Sequence, residues 1–504
     1  MYLSIYVHVR LIGAGNWHFN LHTMQSLFFS RLHFAFLLLF TLLNLRYLTA
    51  EAAKCHPDDE AGLLAFKSGI TADPSGMLQS WKPGTDCCSW NGITCLQGTR
   101  VTALALSGQP QNSTQVLSGT ISPSLSKLQF LDGVYFLNLR KLSGPFPNFL
   151  FSLPRLIFIY IENNRLSGPI PENIGSLAKL QAFSLQGNRF SGRIPTSISQ
   201  LTQLSQLRLG GNLLTGTIPL GIQNLKNLTS LTLDGNQLTG TIPDIFASFP
   251  TLYNLNLANN KLTGNIPPSI SSLAPNLRYL ELGHNSLSGQ IPDFLGKFRA
   301  LDTLDLSWNQ YSGLVPKTFS NLTKIFNLDL SHNYLVDPFP AMQVKGIESL
   351  DLSYNQFHLV NIPAWVTSSP IIYSLKLAKC GINLKLDDWN PAQTYFYDYI
   401  DLSENQITGS PFKLLNRTEY LKGFYASGNK LNFKLETLKL PKTLKDLDLS
   451  RNLISGKVPN AVAGLQKLNV SHNHLCGQLP KTKFPASAFS GNDCLCGSPL
   501  PACK

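Results

Sequence analysis

The sequence has few charged residues and, after its first 50 residues, no long apolar run. Asp, Glu, Lys and Arg make up 14% of the 504 residues, while Gly and Pro number 37 and 31. Low charge with many Gly and Pro residues indicates turns at fixed intervals. Without a second apolar run we expect no membrane span, and the sequence offers no kinase domain and no C-terminal lipid signal. The chain is too long for one compact core, which leaves multi-domain and repeat architectures open.

The single apolar run lies near the N-terminus. Residues 33–43 are apolar, and the small residues of the Ala-Glu-Ala segment 50–52 suit signal-peptidase cleavage. The run is too short for a comfortable membrane span, so we predict that residues 1–52 are a signal peptide. Met24 alone would start a signal of normal length, which makes 1–23 an upstream extension. The mature protein is therefore expected in the extracellular space.

Nine cysteines fall into two groups of four and one isolated residue, Cys380. Two even groups in a secreted chain indicate disulfides, and each group alone allows three pairings. Bonding between the adjacent Cys87 and Cys88 is disfavoured, and an oxidising compartment disfavours zinc. The two groups are Cys55, Cys87, Cys88 and Cys95, and Cys476, Cys494, Cys496 and Cys503.

An asparagine recurs about every 24 residues, inside the pattern Leu-x-Leu-x-x-Asn-x-Leu-x-Gly-x-Ile-Pro. The period lies within the leucine-rich-repeat range. Two weaker units, with Gln115 and Arg140 at the asparagine position, bring the number to roughly sixteen. The clear positions are Asn164, Asn188, Asn212, Asn236, Asn260, Asn285, Asn309, Asn333, Asn355, Asn405, Asn429, Asn452 and Asn473.

Each part of the pattern has a physical role. Leu-x-Leu forms a short strand with both leucines inward, and stacked units share one core that no unit could build alone. The asparagine can satisfy buried backbone groups, Gly tolerates positive φ, and Pro ends strand pairing. We therefore predict an α/β solenoid, curved as a superhelix, with a parallel β-sheet on its concave face. Cys380 occupies an asparagine position, which predicts a buried, reduced free thiol.

The Leu-x-x-Asn-x-Leu-x-Gly-x-Ile-Pro form resembles the plant class of leucine-rich repeat. Residues 55–67 and 87–95 resemble that family's N-terminal cap, and 468–477 with the cysteines behind it resemble its C-terminal cap. The expected domains are the N-terminal cap at 53–98, the repeats at 99–475 and the C-terminal cap at 476–504. By this resemblance the disulfides are Cys55–Cys87, Cys88–Cys95, Cys476–Cys494 and Cys496–Cys503.

Within the family, the chain is similar to the soluble group of polygalacturonase inhibitors and DNA-damage-repair/toleration-like proteins. This resemblance implies a binding protein that is not an enzyme and has no cofactor. The inhibitors have fewer repeats than the units counted here. A signal peptide and paired cysteines argue against a nucleic-acid partner.

Side chains beside the two leucines are expected on the concave face, at positions −6, −4, −2 and −1 counted back from the asparagine. Four flat side chains follow one another at −1, which suits stacking on a sugar ring or a protein. Tolerance of these residues by the turn is the alternative. The −1 residues are His284, Trp308, His332, Tyr354, Lys379 and Glu404, and the other candidate contacts are Phe158, Tyr160, Arg208 and Tyr279.

A row of acids occupies position −4, at Asp305, Asp329, Asp351 and Asp401, interrupted by Lys376. Neighbouring strands place carboxylates about 5 Å apart, a spacing that glycosidases use. Hydrolysis is disfavoured because the face is open and the acids look alike, whereas catalysis needs two different environments. The row could instead meet a basic partner. His284 and His332 lie about 10 Å apart on alternate strands, so no metal site is predicted.

Two further features bear on partners. From residue 413 to the end, 14 Lys or Arg face 5 Asp or Glu, which favours contact with an acidic polymer such as pectin. Solubility alone is the simpler interpretation. The irregular, aromatic segment 383–399 either binds a ligand or fills the outer core. Glycosylation sequons start at Asn112, Asn227, Asn321, Asn416 and Asn469.

Three functions follow from these features. The leading hypothesis is a recognition protein of the apoplast, which inhibits a wall-degrading enzyme or senses a peptide with a membrane partner. The second is a structural wall protein held on pectin through Lys434, Lys439, Lys442 and Lys445. The third, a hydrolase, would depend on Asp329.

Overall fold

The structure is a computed structural model that describes residues 54–109, 116–344, 346–394 and 396–503. The predicted signal peptide, Gln115 and the sequon at Asn112 lie outside the described residues. Within the described residues, no helix has the length and apolarity to cross a membrane. The account below concerns the unit that begins at Cys55.

One long sheet forms the concave face. Sixteen parallel strands pair in sequence order, and one antiparallel strand, Ile93–Leu96, precedes them. Register is constant along the parallel strands, so that each places a buried apolar residue, most often Leu, opposite that of its neighbour, as in Leu280, Leu304 and Leu328. The parallel strands are Arg100–Ser107, Gly133–Leu137, Phe158–Glu162, Ala182–Ser184, Gln206–Arg208, Ser230–Thr232, Asn254–Asn256, Tyr279–Glu281, Thr303–Asp305, Asn327–Asp329, Ser349–Asp351, Ser374–Lys376, Tyr399–Asp401, Gly423–Tyr425, Asp446–Asp448 and Lys467–Asn469.

A second sheet follows the turn of each unit and ends at Val336. Beyond it the Gly-x-Ile-Pro pattern is lost, for example at Asp337–Pro338, and pairing shrinks to isolated bridges and short strands. The second sheet contains Ile70–Ala72, Ser118–Thr120, Lys141–Gly144, Arg165–Pro169, Arg189–Arg193, Leu213–Gly216, Gln237–Thr241, Lys261–Gly264, Ser286–Gly289, Gln310–Leu314 and Tyr334–Val336. The later short strands are Thr408–Gly409, Lys430–Leu431, Ser455–Gly456, His474–Gln478 and Cys494–Cys496.

Short 3-10 helices form most of the outer side, because Pro fixes their first turn and few residues remain before the next strand. In the described part of the chain the α-helices are Pro57–Ser68, Ala364–Thr367 and Phe412–Arg417. The 3-10 helices are Cys87–Ser89, Pro123–Lys127, Asn148–Ser152, Ile174–Ser176, Thr196–Gln200, Leu220–Asn224, Phe246–Ser248, Pro268–Leu273, Asp293–Lys297, Lys317–Asn321, Leu386–Asp388, Leu435–Thr437, Asn460–Gly464 and Ala486–Ala488.

The recurring asparagines form a buried ladder that ties neighbouring units together. Asn309 is typical: its Nδ2 donates to the carbonyl oxygens of Leu282 at 3.0 Å and Leu306 at 3.2 Å. Its Oδ1 accepts from the N–H of Leu287 at 2.9 Å. Buried backbone groups at the turn are satisfied in this way, since no strand partner is available there.

The asparagine position of the second unit was predicted wrongly. Asn138 and Asn163 share a left-handed backbone, with φ of 58° and 57°, and Asn163 Nδ2 donates to Asn138 Oδ1 at 2.9 Å. Leu139, not Arg140, therefore occupies in the second unit the position that Asn164 occupies in the third. An extra residue in the following turn caused the misplacement, and the apolar Leu139 is buried where asparagine stands elsewhere.

Disulfide-bonded caps cover both ends of the core. The structure joins Cys55 to Cys87, Cys88 to Cys95, Cys476 to Cys494 and Cys496 to Cys503. In the N-terminal cap, the buried Asp59 accepts from the Arg100 guanidinium at 2.9 and 3.0 Å, which fixes the first helix to the first parallel strand. The ladder continues into the C-terminal cap, where Asn492 Nδ2 donates to the Val470 carbonyl at 3.1 Å. The sequence Ser-Gly-Asn at 490–492 could have predicted this additional ladder asparagine.

Candidate functional site

Position −1, just before the ladder asparagine, lies where each strand leaves the sheet. The backbone of the four predicted ring residues at this position is left-handed, with φ of 54° at His284, 51° at Trp308, 54° at His332 and 56° at Tyr354. Bulky residues rarely adopt this conformation, which costs about 1 kcal/mol or more. Folding alone therefore does not favour these side chains.

The four rings form one continuous column, which we call the ring column. Ring centroids are 5.3 Å apart for His284 and Trp308, 3.7 Å for Trp308 and His332, and 4.5 Å for His332 and Tyr354. The first two pairs are nearly parallel, at 12° and 11°. Trp308 and Tyr354 remain 49% and 41% exposed. The prediction placed these four residues in succession, and the structure brings them into direct contact.

The acids of position −4 lie beside the ring column on consecutive strands. Asp305, Asp329 and Asp351 are register partners, followed by Lys376 and Asp401. We call the first three, with Glu281 one strand earlier, the acidic row. Small residues at position −2 separate the acidic row from the ring column, so both are open to the same concave surface.

One oxygen of each aspartate in the row stabilises the turn. Oδ1 of Asp329 accepts from the N–H and the hydroxyl of Ser331 at 2.9 and 2.7 Å, and Asp305 contacts Ser307 likewise. This Asp-x-Ser arrangement is a local turn motif. It explains why Leu-Asp-Leu-Ser recurs, at 304–307, 328–331 and 350–353. The second oxygen of each aspartate is left for other contacts.

Electrostatics distinguish the members of the row. Burial, reinforced by the neighbouring Asp351, raises the pKa of Asp329 to about 7. Burial also raises the pKa of Asp401 and of Glu281. Asp351 has a cation partner, because Lys376 Nζ lies 3.4 Å from its Oδ2. The expectation that these acids have equivalent surroundings was therefore wrong, although their turn contacts explain their presence without chemistry.

Comparison with known protein families identifies the same repeats. Residues 56–96 match the family described as leucine rich repeat N-terminal domain, and overlapping segments between 226 and 335 match leucine rich repeat. Single repeats match between 155 and 225 and between 443 and 482. The chain belongs to the leucine-rich-repeat family. The predicted family resemblance and solenoid fold are confirmed.

Individual relatives are plant proteins. Polygalacturonase inhibitor 2 of Arabidopsis thaliana is 41% identical over 21% of this chain and 34% of its own length. DNA damage-repair/toleration protein DRT100 of Arabidopsis thaliana is 34% identical over 22% of this chain and 32% of its own length. The matched segment thus spans about a third of these relatives. The Arabidopsis receptor kinase HAESA, solved with the peptide hormone IDA and the co-receptor SERK1, shares the fold, with 22% identity, a TM-score of 0.54, and 87% and 98% of the two chains covered.

Other predicted contacts of this repeat protein lie away from the ring column. Tyr160 stacks on Tyr135 at 5.4 Å, and its hydroxyl donates to Gln206 Oε1 at 3.2 Å. Phe158 lies on the strand of Tyr160, and Arg208 lies on the strand of Gln206. Both strands come several units before the acidic row.

Tyr279 lies at the start of its strand, in a shallow groove with Tyr253 and Arg278. At the other end of the column, Lys379 follows Tyr354, and Glu404 pairs with Arg451. This pair spans the unit of Gly428, which has no side chain at position −1. The ring column therefore ends in charged residues.

Two concave tyrosines were missed. Tyr135 and Tyr425 each follow a glycine two residues earlier, and a Cβ on Gly133 or Gly423 would lie 2.7 or 2.9 Å from that tyrosine ring. The Tyr425 hydroxyl donates to Asp446 Oδ2 at 3.0 Å. The sequence Gly-x-Tyr, with Gly at position −6 and Tyr at position −4, could have predicted both tyrosines.

Cys380 occupies its ladder position as a buried thiol. Its Sγ donates to the Leu352 carbonyl at 3.4 Å, and burial raises its pKa well above the ordinary value. In the irregular segment 383–399, Trp389 and Tyr397 are buried and in edge contact at 6.2 Å. Their packing favours the core-filling interpretation of this segment over ligand binding.

The remaining predictions concern the surface. The sequon residues Asn227, Asn321 and Asn416 are exposed, whereas Asn469 is half-buried and its Nδ2 donates to Asp448 Oδ2 at 3.3 Å. Of the four lysines proposed for pectin, Lys439 and Lys442 line one groove together with Asn416. Lys434 and Lys445 do not line this groove. Pectin contact stays a prediction.

Proposed function

We propose that this chain is an extracellular plant recognition protein that binds a protein ligand at the ring column and acidic row of its concave face. It acts in defence or signalling and is not an enzyme. The signal-like N-terminus, the disulfide-bonded caps and the absence of a membrane-crossing helix among the described residues support an extracellular location. Binding to a wall component is the less favoured form of the same proposal.

The observation that carries the proposal is the exposure of stacked rings on a backbone that disfavours them. Aromatic side chains are enriched where proteins bind each other, because they bury a large area with little loss of conformational freedom. Trp308 and Tyr354 would each lose solvent contact on binding. The strands that lead to them keep the constant parallel register of the concave sheet, so no irregularity of that sheet requires these rings.

The relatives suggest the first partner to test. A polygalacturonase inhibitor is 41% identical in the matched segment, which supports a wall-degrading enzyme as one class of protein ligand. Inhibition is measured directly as the release of reducing sugar from polygalacturonate by purified polygalacturonases, with and without the chain. A fall in rate that depends on Trp308 would assign the ligand.

A broader experiment does not depend on that enzyme. The secreted chain, immobilised, is exposed to plant cell-wall extract, and bound proteins are quantified by mass spectrometry. We compare wild type with the double variant Trp308→Asn and Tyr354→Asn, because Asn259 shows that asparagine suits this backbone. A protein partner should be recovered from wild type and reduced at least about tenfold by losing two aromatic contacts.

The control is His472→Asn, which changes an exposed residue of the same left-handed position near the C-terminal cap. This variant should recover the partner like wild type. Equal recovery from the double variant and wild type would remove the ring column as the binding site.

A further inference from the structure

A groove of about 580 Å³ lies between two consecutive units in the last quarter of the chain. Asn416 and Tyr420 line it from one unit, and Leu440 and Lys442 line it from the next. We call this space the inter-unit groove. It belongs to units that follow the ring column, so a ligand here would be separate from the ligand of that site.

The two walls of the inter-unit groove are joined before any ligand binds. The Thr443 hydroxyl donates to the carbonyl oxygen of Glu419 at 2.8 Å and so connects the two units. Among the described residues, the outer turns of these units share one isolated bridge, Lys434–Ser455, where earlier units share strands of the second sheet. The groove is therefore preformed, which lowers the cost of ordering on binding, in a region with little outer pairing.

The inter-unit groove offers both apolar and polar surface. Tyr420 is 45% exposed, and Leu440 and Pro441 are half-buried. Lys439 and Lys442 are exposed and supply hydrogen-bond donors. A sugar ring has an apolar face and hydroxyl groups at its edge, so it suits walls that combine an aromatic ring with such donors.

A glycosylation sequon begins inside this groove. Asn416 lines the groove, is exposed and starts the sequence Asn-Arg-Thr at 416–418. Thr418 is only 1% exposed, and its hydroxyl donates to the Leu415 carbonyl at 3.3 Å. The sequon hydroxyl is thus inaccessible after folding. A glycan must be attached before this unit folds, and folding then brings its first sugars against the groove.

We propose that an N-linked glycan on Asn416 places its first N-acetylglucosamine rings in the inter-unit groove and ties the two units together. Covalent attachment makes the effective concentration of the sugar high, so stacking on Tyr420 and hydrogen bonds from the lysines suffice to hold it. This site lies outside the proposed ligand site and shares with it only the secretory route. The glycan also covers Lys439 and Lys442, two of the four lysines predicted to contact pectin.

The first test measures how accessible the glycan is on the full secreted chain. The chain is produced with high-mannose glycans, and an endoglycosidase that cuts between the two core N-acetylglucosamines is added under native conditions. Mass spectrometry follows cleavage at Asn416, and the same glycan on a short proteolytic peptide gives the unhindered rate. We expect cleavage on the folded chain to be at least about tenfold slower than on the peptide.

Variants assign this protection to the groove. Tyr420→Ser should bring the rate close to that of the peptide, because it removes the aromatic wall and leaves the sequon intact. The matched control is Tyr334→Ser, which removes a tyrosine of similar exposure, 54%, that does not line the groove. It should leave cleavage at Asn416 slow. Equal rates for wild type and Tyr420→Ser would overturn the proposed site, as would a secreted chain without a glycan on Asn416, and neither result bears on the ring column.

Hydrogen exchange tests the tie between the two units. Asn416→Gln removes the glycan and should raise amide exchange in residues 412–445 by about threefold or more. Asn321→Gln removes another exposed sequon and should leave exchange in that segment unchanged. The same exchange in Asn416→Gln and in wild type would overturn the tie.

Discussion

Earlier and later repeat units share the same backbone conformation at position −1 but differ in its side chains. We call the units from Asn138 to Asn259 the first half and those from His284 to Glu404 the second half. From Asn138 to Asn259 the position holds only Asn or Gly, with φ from 55° to 69°. From His284 to Glu404 it holds rings and charges at φ from 51° to 57°. Asn and Gly tolerate this conformation, whereas tryptophan and tyrosine adopt it rarely. The second half therefore gives up backbone preference for exposed side chains, which is typical of a binding surface.

The ladder asparagine next to this position should show the largest effect, because it is structural in both halves. Asn309→Ala removes four hydrogen bonds of one buried amide and leaves backbone carbonyls unsatisfied. We expect a loss of about 3 kcal/mol in the free energy of unfolding, measured by denaturant titration.

Cys380→Ala is the matched comparison at a ladder position. It loses only thiol contacts and should cost about 1 kcal/mol. Equal costs for the two variants would show that the ladder's stability comes from packing and not from the amide.

The next effect tests the backbone difference itself. Gly235→His places a ring residue in the first half, at φ of 59°, and should cost about 1 to 2 kcal/mol of folding stability. Gly235→Asn should cost less, since Asn259 occupies the neighbouring position in the same conformation. Calorimetric melting of both variants checks the ranking. If histidine is as well tolerated as asparagine, backbone strain does not explain why the side chains at position −1 of the first half are small.

The sequence predicts the concave sheet well because a short, local pattern determines it. Two apolar residues in alternation, most often Leu-x-Leu, and the following asparagine recur in each clear unit, and they set strand, burial and ladder contact. The outer face is harder, since after Asn333 the pattern loses Gly-x-Ile-Pro and the segments pack individually, as Trp389 does. The second unit was misplaced by one residue because its turn holds one extra residue between the buried Leu139 and Leu142.

The ring column could be predicted because position −1 is fixed by its distance from the asparagine. Its ring contacts could not, since they depend on side-chain rotamers on separate strands. The different surroundings of Asp329 and Asp351 were also missed, because Lys376 becomes their neighbour only through strand register. Tyr425 escaped notice because a glycine two residues earlier allows its ring to lie over the strand.

A smaller effect concerns the acidic row, which exists only beside the second half of position −1. The folded-state pKa of Asp329, about 7, lies above the ordinary carboxyl value near 4. The folded state therefore binds this proton more tightly than the unfolded chain, and its contribution to stability is lost as pH rises from about 4 through about 7. Asp329→Asn should remove this slope and raise the melting temperature by roughly 2 °C above pH 7. The variants are produced without N-glycosylation, because this change and Asp448→Asn each create a sequon, with Ser331 and Ser450.

Asp448→Asn is the control for that slope, since it keeps the turn and lies outside the row. Its melting curve should follow the pH dependence of wild type. A steep loss between pH 4 and 7 that persists in Asp329→Asn would assign the dependence to other groups.

The smallest expected effect is on folding stability when a ring of the column is removed. Trp308→Asn loses two stacked contacts, each worth about 1 kcal/mol, with His284 and His332. It also relieves a left-handed tryptophan, which costs a similar amount. The two terms nearly cancel, so calorimetry should show a change below about 1 kcal/mol while ligand binding falls. A large destabilisation would make the column part of the fold and would weaken the argument that its rings are there for a partner.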